Sequence, residues 1–339
     1  MFSHAVIALA LITATTGTTV QAEESITLRV HHFMTEKAPL HIDMLVPLAK
    51  RIEKASNGRL KLALFASMSL GGRPGDLYDQ AIDGAVDIAL TLPGYTAGRF
   101  NRTEVFELPF IMENNIATSK AFWDFVQSDL QASEYEETRI LAAWVHGPGV
   151  LHSKQPIQKL EDLAGKEMRG PTRVVTDMLG ELGAIPLGMP LPKIPSSLSK
   201  GVIIGAFLPW SVTPSIRLAE LVDYHTEFSG ARSPYTATFV LAMNHDSYAA
   251  LPDDLRAILD AETGKALSAS SATAMHNADA FGREKAGTNS IIVLDKTEVT
   301  RWEKAAHPVY TRWLEHANEK GFDGKATIAQ AKSLIVANQ

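Results

Sequence analysis

From Ile26 onward the apolar and polar positions switch repeatedly between a period of two and a period near 3.6. "ITLRVHHF" (26–33), "RLKLALF" (59–65), "DIALTL" (87–92) and "TRILAAWV" (138–145) read as strands. Between them "HIDMLVPLAKRIEKASNG" (41–58), "DLYDQAIDGAV" (76–86) and "SKAFWDFVQSDLQ" (119–131) carry helical spacing, the first closing at Asn57-Gly58. The theme repeats in the second half. "KLEDLAG" is a short helix, "KEMRG" (166–170) a strand, "RVVTDMLGELGA" a helix, "IPLGMP" a strand and "IPSSLSKG" a helical turn. "VIIGAFLP" (202–209) and "SPYTATFVLAMN" (233–244) are further β-runs. "HGPGVL", between His146 and His152, reads as a loop. Alternating strands and helices predict α/β architecture.

Residues 251–287 stand apart. Pro252, Asp253 and Asp254 mark a helix start, and no proline follows before Gly287. At ~1.5 Å per residue a helix of about 35 residues runs about 50 Å, too far for one small lobe. The pattern therefore predicts a helix tying two lobes together, its Ala/Ser-rich middle permitting close approach. Two helices broken at Gly264 are the alternative. A further helix over 300–321 bends at Pro308.

Composition narrows the class. The 339 residues are 45% hydrophobic and 21% charged, as in an ordinary globular protein, and the length favours two lobes. A net charge of −6 with interspersed signs gives no support for nucleic acid or an anionic membrane as partner. The first 22 residues contain no Lys, Arg, Asp or Glu. Their apolar run is too short to span a bilayer and ends in Val20-Gln21-Ala22, which predicts a signal peptide cleaved after Ala22 and a periplasmic protein. The absence of cysteine excludes disulfides, thiol nucleophiles and thiolate metal sites.

Catalytic signatures are missing too: no phosphate loop, no dinucleotide fingerprint, no His-Glu-x-x-His and no nucleophile elbow. His31 and His32 are adjacent in a strand and point to opposite faces, so they do not share a metal. Asp83 and Asp87 flank a turn with no partner that would raise a carboxyl pKa. The chain reads as neither an enzyme nor a cofactor carrier, and no metal site is expected.

One charge is oddly placed. Arg169 ends the strand of "GKEMRGPTRVV" (165–175), where five donors need a fixed anion. "RIEKASNGRLKLALFASMSLGGRPGDLYDQAIDGAVDIAL" (51–90) resembles the first-lobe signature of TRAP (tripartite ATP-independent periplasmic) transporter solute-binding proteins. "ELPFIM" (107–112), "VLHSKQPIQKLEDLAGKEMRGPT" (150–172), "LGAIPLGMPLPKIPSSLSKGVIIGAFLPWS" (182–211) and "LPDDLRAIL" resemble later family segments in order, over about residues 26–320. The resemblance implies a two-lobed, periplasmic-binding-protein-like receptor with hinge strands. Its expected division is 23–145 plus 236–275 for lobe 1, and 146–235 plus 276–339 for lobe 2. It implies capture of a small organic acid and delivery to small and large membrane permease subunits, with no ATP hydrolysis and the receptor acting as a monomer. The arginine matching Arg169 would hold the ligand carboxylate by two prongs, as guanidinium geometry allows. A structural ion pair to a neighbouring carboxylate is the rival role. Arg173, opening the next helix, is expected to face solvent.

Departures from the family pattern sharpen the ligand. A polar run common in the family reads Ala206-Phe207-Leu208-Pro209-Trp210 here, and a second arginine is missing from "HGPGVLHS". One guanidinium beside Phe207, Leu208 and Trp210 suits one carboxylate on an apolar, aromatic or keto-acid body, because a second charge would lie unpaired. Strand alternation leaves open the alternative that Phe207 and Leu208 face the lobe's core. Strand ends facing the cleft add Phe33, Thr91, Gly94 and Tyr95, with Tyr235 at the return crossing and His146 as a further donor. A secreted α/β enzyme and a receptor feeding a sensor kinase are the readings from other classes.

Overall fold

The computed structural model describes residues 25–339; the expected signal peptide and its cleavage site lie outside that range. Among the described residues eleven strands follow in chain order: β1 (Ile26–His32), β2 (Leu60–Phe65), β3 (Ile88–Thr91), β4 (Arg139–Val145), β5 (Gly149–Ser153), β6 (Glu167–Gly170), β7 (Ile185–Gly188), β8 (Gly205–Pro209), β9 (Tyr224–Phe228), β10 (Thr238–Met243) and β11 (Ser290–Leu294). Helices α1 (Val46–Ala55), α2 (Leu77–Ile82), α3 (Asn115–Phe125), α4 (Arg173–Glu181), α5 (Ile194–Ser199) and α6 (His245–Ala249) lie between them. Then come α7 (Asp253–Glu262), α8 (Gly264–Glu284), α9 (Lys296–Ala306), α10 (Pro308–Glu319) and α11 (Gly324–Ala337).

The strands form two sheets, ordered β2-β1-β3-β10-β4 and β11-β9-β5-β8-β6-β7. In each, a parallel block (β2, β1, β3; β8, β6, β7) is extended by an antiparallel strand, β10 in the first and β5 in the second. The chain crosses between sheets over 146–148 and again over 229–237. The expected two-lobed α/β architecture is therefore present.

Local chemistry starts and stops the elements as the pattern predicts. Asn114 caps α3 by accepting from the Ile116 and Ala117 N–H groups, and Asp295 and Asp323 cap α9 and α11 in the same way. α1 ends where Asn57 and Gly58 turn left-handed. Three strands were not legible. The expected loop at 146–152 contains β5, the strand that joins β8 to β9, and neither β9 nor β11 stood out.

The single long helix does not form. Thr263 is extended and Gly264 adopts φ +79°, splitting the run into α7 and α8. The 21 residues of α8, about 31 Å long, still bridge both lobes. On the first lobe, Ser268 of α8 and Ser119 of α3 accept from the N–H groups of Ala143 and Val145, both at 2.9 Å. These bonds cover the free edge of β4. On the second lobe, Asp279 accepts from the Ser211 N–H at 2.8 Å. Gly282 packs so tightly that an added Cβ would lie 2.0 Å from the Trp210 carbonyl oxygen. Gly282→Ala is expected to lower the unfolding free energy by about 1–3 kcal/mol, read as an earlier midpoint in urea. An unchanged midpoint would show that α8 is not clamped there.

α9 and α10 pack on α4, beside the second sheet, whereas α11 returns to α3, beside the first. No described helix is long and apolar enough to cross a membrane.

Candidate ligand-binding site

The carboxyl ends of the parallel strands in both sheets converge on one internal cavity, the place where open α/β sheets bind ligands. β1 contributes Phe33 and Met34 from its end, and β3 contributes Leu92 and Tyr95. From the second sheet come Arg169 of β6 and Pro171 just after it, Leu191 after β7, and Leu208, Pro209 and Val212 from β8 onward. His146, Tyr235 and Ala237 enter at the two crossings, Phe239 from β10, and Met275 from α8.

Arg169 is 1% exposed. Its Nε donates to the Met189 carbonyl at 2.8 Å and its Nη1 to the Phe207 carbonyl at 3.0 Å. Backbone on both flanks of β6 thus fixes the guanidinium plane. Two of its five N–H donors go to these carbonyls, and the Tyr95 hydroxyl lies within reach of the guanidinium as well, so the donors left for a ligand are at the Nη1 and Nη2 end. Among the described residues no carboxylate makes a salt bridge with it. The rival role, a structural ion pair, is absent there. Gly170 is required next in the chain, because an added Cβ would meet the backbone of Thr176 in α4 at 2.9 Å.

The other expected residues divide. Tyr95 accepts from the Leu191 N–H at 3.0 Å, joining the lobes, and packs edge-on against Phe33 with centroids 5.2 Å apart. Burial pushes its pKa up, and the nearby Arg169 charge pulls it back. Tyr235 reaches the Phe207 carbonyl at 3.4 Å, the same oxygen that holds Arg169. Strand alternation separates the two β8 side chains: Leu208 lines the cavity, while Phe207 turns away to pack on Phe228 and Tyr235.

Besides Phe207, three more expected residues do not line the cavity. Trp210 lies beyond the strand end, where alternation no longer applies. Its Nε1 donates to Glu227 at 2.8 Å and its ring packs on His152 and His225. Thr91 is buried within β3, and Leu92 lines the wall instead. Gly94 sits where the lobes touch, with an added Cβ only 2.4 Å from the Thr172 methyl.

His146 lines the cavity but is not available as a donor. Its Nε2 accepts from the Ala237 N–H at 3.0 Å, which leaves the Nδ1 proton to the Gly147 carbonyl at 2.6 Å. Burial, and secondarily the Arg169 charge, lower its pKa to about 3, so the ring stays neutral. Arg173 also departs from expectation. It is half-buried and pairs across the lobes with Glu104, its Nε donating at 2.9 Å.

Glu107, in "ELPFIM", is a buried carboxyl that no local sequence signal marks. Its Oε1 accepts from the Thr238 N–H at 3.0 Å and the Thr238 hydroxyl at 2.7 Å. Its Oε2 and the Thr172 hydroxyl, both beside Gly94, lack a partner of good geometry. Burial raises its pKa to about 7, against the pull of the Thr238 bonds and the neighbouring Thr172 hydroxyl. His31 and His32 do separate as their strand requires, to Gln80 and His41 respectively. No cluster of three or more metal-ligating side chains occurs among the described residues.

Two α/β lobes enclosing one fixed cation in an apolar chamber define a solute-binding receptor of the two-lobed periplasmic type. The chain belongs to bacterial extracellular solute-binding protein family 7, whose model matches residues 30–316. It is 47% identical to a TRAP solute-binding protein from Rhodoferax ferrireducens T118 solved with copurified benzoate. That match has a TM-score of 0.91 and covers 93% of this chain and 98% of that one. A marine metagenome TRAP solute-binding protein specific for aromatic acid ligands, solved with 3-hydroxybenzoate, is 37% identical. Its TM-score is 0.90, over 93% and 99% of the two chains. A Bordetella bronchiseptica TRAP protein with bound (R)- and (S)-mandelate is 27% identical, with a TM-score of 0.84 over 93% and 100%.

Proposed function

We propose that this protein is the extracytoplasmic receptor of a TRAP-type secondary transporter and captures a monocarboxylic acid with an aromatic body. The observation that carries the reading is Arg169, a buried guanidinium without a carboxylate partner, facing a chamber walled by Phe33, Leu208, Phe239 and Met275. Its Nε is committed to Met189, so the ligand carboxylate docks end-on, on Nη1 and Nη2, with the Tyr95 hydroxyl beside it. Closure removes water from this pair, which strengthens it relative to a surface pair. The solved relatives with benzoate, 3-hydroxybenzoate and mandelate support the ligand class.

The lobes, 23–145 with 236–275 and 146–235 with 276–339, hinge at the crossings near residues 146, 236 and 275, with α11 strapped back onto the first. The receptor works as a monomer after cleavage behind Ala22, delivering its cargo to small and large permease subunits. Saturating benzoate at about 100 times its Kd is expected to add about 2.7 kcal/mol of stability, about 4 °C in Tm for a chain of this length. Succinate and sialic acid, each with polar groups the chamber cannot pair, are expected to give no shift. A shift with those two and none with benzoate would reverse the assignment.

A further inference from the structure

We infer that the chamber is polar at one end only and therefore selects an aromatic acid whose ring carries no hydroxyl away from the carboxylate. The inference rests on the aromatic-acid reading above and adds a rule for discriminating within that class. Four polar side chains line the cavity: Tyr95, His146, Arg169 and Tyr235. Their hydrogen-bonding groups are either spent or gathered around the guanidinium. Both His146 nitrogens are occupied by backbone, at 3.0 Å and 2.6 Å. The Tyr235 hydroxyl is directed at the Phe207 carbonyl, 3.4 Å away, the oxygen that also holds Arg169, so it belongs to the guanidinium end of the chamber. The Tyr95 hydroxyl is tied to the Leu191 N–H and stands beside Arg169.

The remaining side chains facing the chamber are apolar. Pro171 and Pro209 interrupt the backbone donors of its rim, since proline has no N–H. A carboxylate satisfied at Arg169 thus projects its ring among Phe33, Val212, Phe239 and Met275. A hydroxyl at the far edge of that ring leaves water without a replacement partner. Burying an unpaired hydroxyl is a penalty that burying a C–H or C–F bond does not carry. A 2-hydroxyl escapes it, because its proton bonds the ligand's own carboxylate.

The test is calorimetry on the wild-type protein with benzoate, 4-fluorobenzoate, 4-hydroxybenzoate and 2-hydroxybenzoate. Fluorine and hydroxyl are close in size, so the 4-substituted pair separates polarity from fit. The expected result is benzoate and 4-fluorobenzoate within about fivefold of each other, 4-hydroxybenzoate at least tenfold weaker than its fluoro analogue, and 2-hydroxybenzoate weakened less. Equal affinities for the fluoro and hydroxy compounds would overturn the inference, and so would equal losses for both, which would mean that size alone discriminates. If none of the four binds, including benzoate, the aromatic-acid reading itself fails. That outcome is distinct from a failure of selectivity.

Discussion

The Arg169→Ala variant is expected to lose benzoate binding by at least about a hundredfold while remaining folded. Removing one partner of a desolvated, hydrogen-bonded ion pair costs about 3–5 kcal/mol, because the other charge stays buried, and each 1.4 kcal/mol is tenfold. The fold tolerates the change better, since the guanidinium donates within its own lobe only to the carbonyls of Met189 and Phe207. Leaving those oxygens short of a donor and the buried side chain's volume unfilled shortens the stability margin, but it breaks no ion pair and leaves the apolar core intact. Arg169→Lys is expected to fall between wild type and alanine. It keeps the charge but cannot hold both carbonyls and present two parallel donors from one plane. Calorimetry against benzoate measures both variants, with circular dichroism as the check on folding. Near-normal affinity in the alanine variant would mean that the cargo is held by other groups.

How much of this was legible depends on how locally each feature is encoded. Arg169 could be singled out because a charged residue at the end of a four-residue strand, followed by Gly-Pro, is a local oddity with few physical solutions. The two-sheet organisation was legible from alternating periods. β5 was not: Gly147, Pro148 and Gly149 imitate a loop, yet Gly149 pairs with Pro209 as the first residue of β5, and it is glycine because the Tyr235 ring would lie 2.0 Å from any Cβ there. β9 was hidden by its polar residues, His225 and Thr226, which are fully buried because His152 and the Ile157 carbonyl pair with them. The break at Gly264 was undecidable locally, since a glycine costs a helix only about 1 kcal/mol.

Side-chain direction was the harder problem. Leu208 and Phe207 obey strand alternation, so one of them had to face the cleft, but only the strand's setting in the sheet decides which. Trp210 sits in the 3-10 turn after β8, where no periodic rule reaches. Arg173 and Glu104 are 69 residues apart, and Glu107 and Thr238 are 131 apart, so neither pairing has a sequence signal. The contacts between lobes are therefore where the sequence reading stops short, and they also set how the receptor closes.

Glu107→Gln is expected to stabilise the protein at pH 8 and to flatten its pH dependence. The Glu107 carboxyl is raised from an ordinary 4.5 to about 7, chiefly by burial, with the Glu104 charge adding to it. The folded state then binds the proton more tightly than the unfolded one. Its contribution to stability is complete below about pH 4.5 and is lost as the pH rises through about 7. A rise of this size corresponds to about 3 kcal/mol at pH 8. Glutamine does not titrate, its Oε1 can keep both Thr238 bonds, and its amide N–H can serve the unpartnered Thr172 hydroxyl. A gain of about 1–3 kcal/mol at pH 8 is expected, with little difference at pH 5. The buried histidines oppose this trend only below pH 6.5, since His146 at about 3 and His225 at about 4 are neutral above it in both states. Asp279, raised to about 6 by burial, is common to both proteins and cancels in the comparison. Because Thr172 and Gly94 cover Glu107 from opposite lobes, closure itself should take up a proton. Wild-type affinity for benzoate should therefore fall between pH 6 and pH 8, and the variant's should not. Thermal denaturation and calorimetry at those two values measure both effects. Parallel curves for the two proteins would place the carboxylate outside the closing equilibrium.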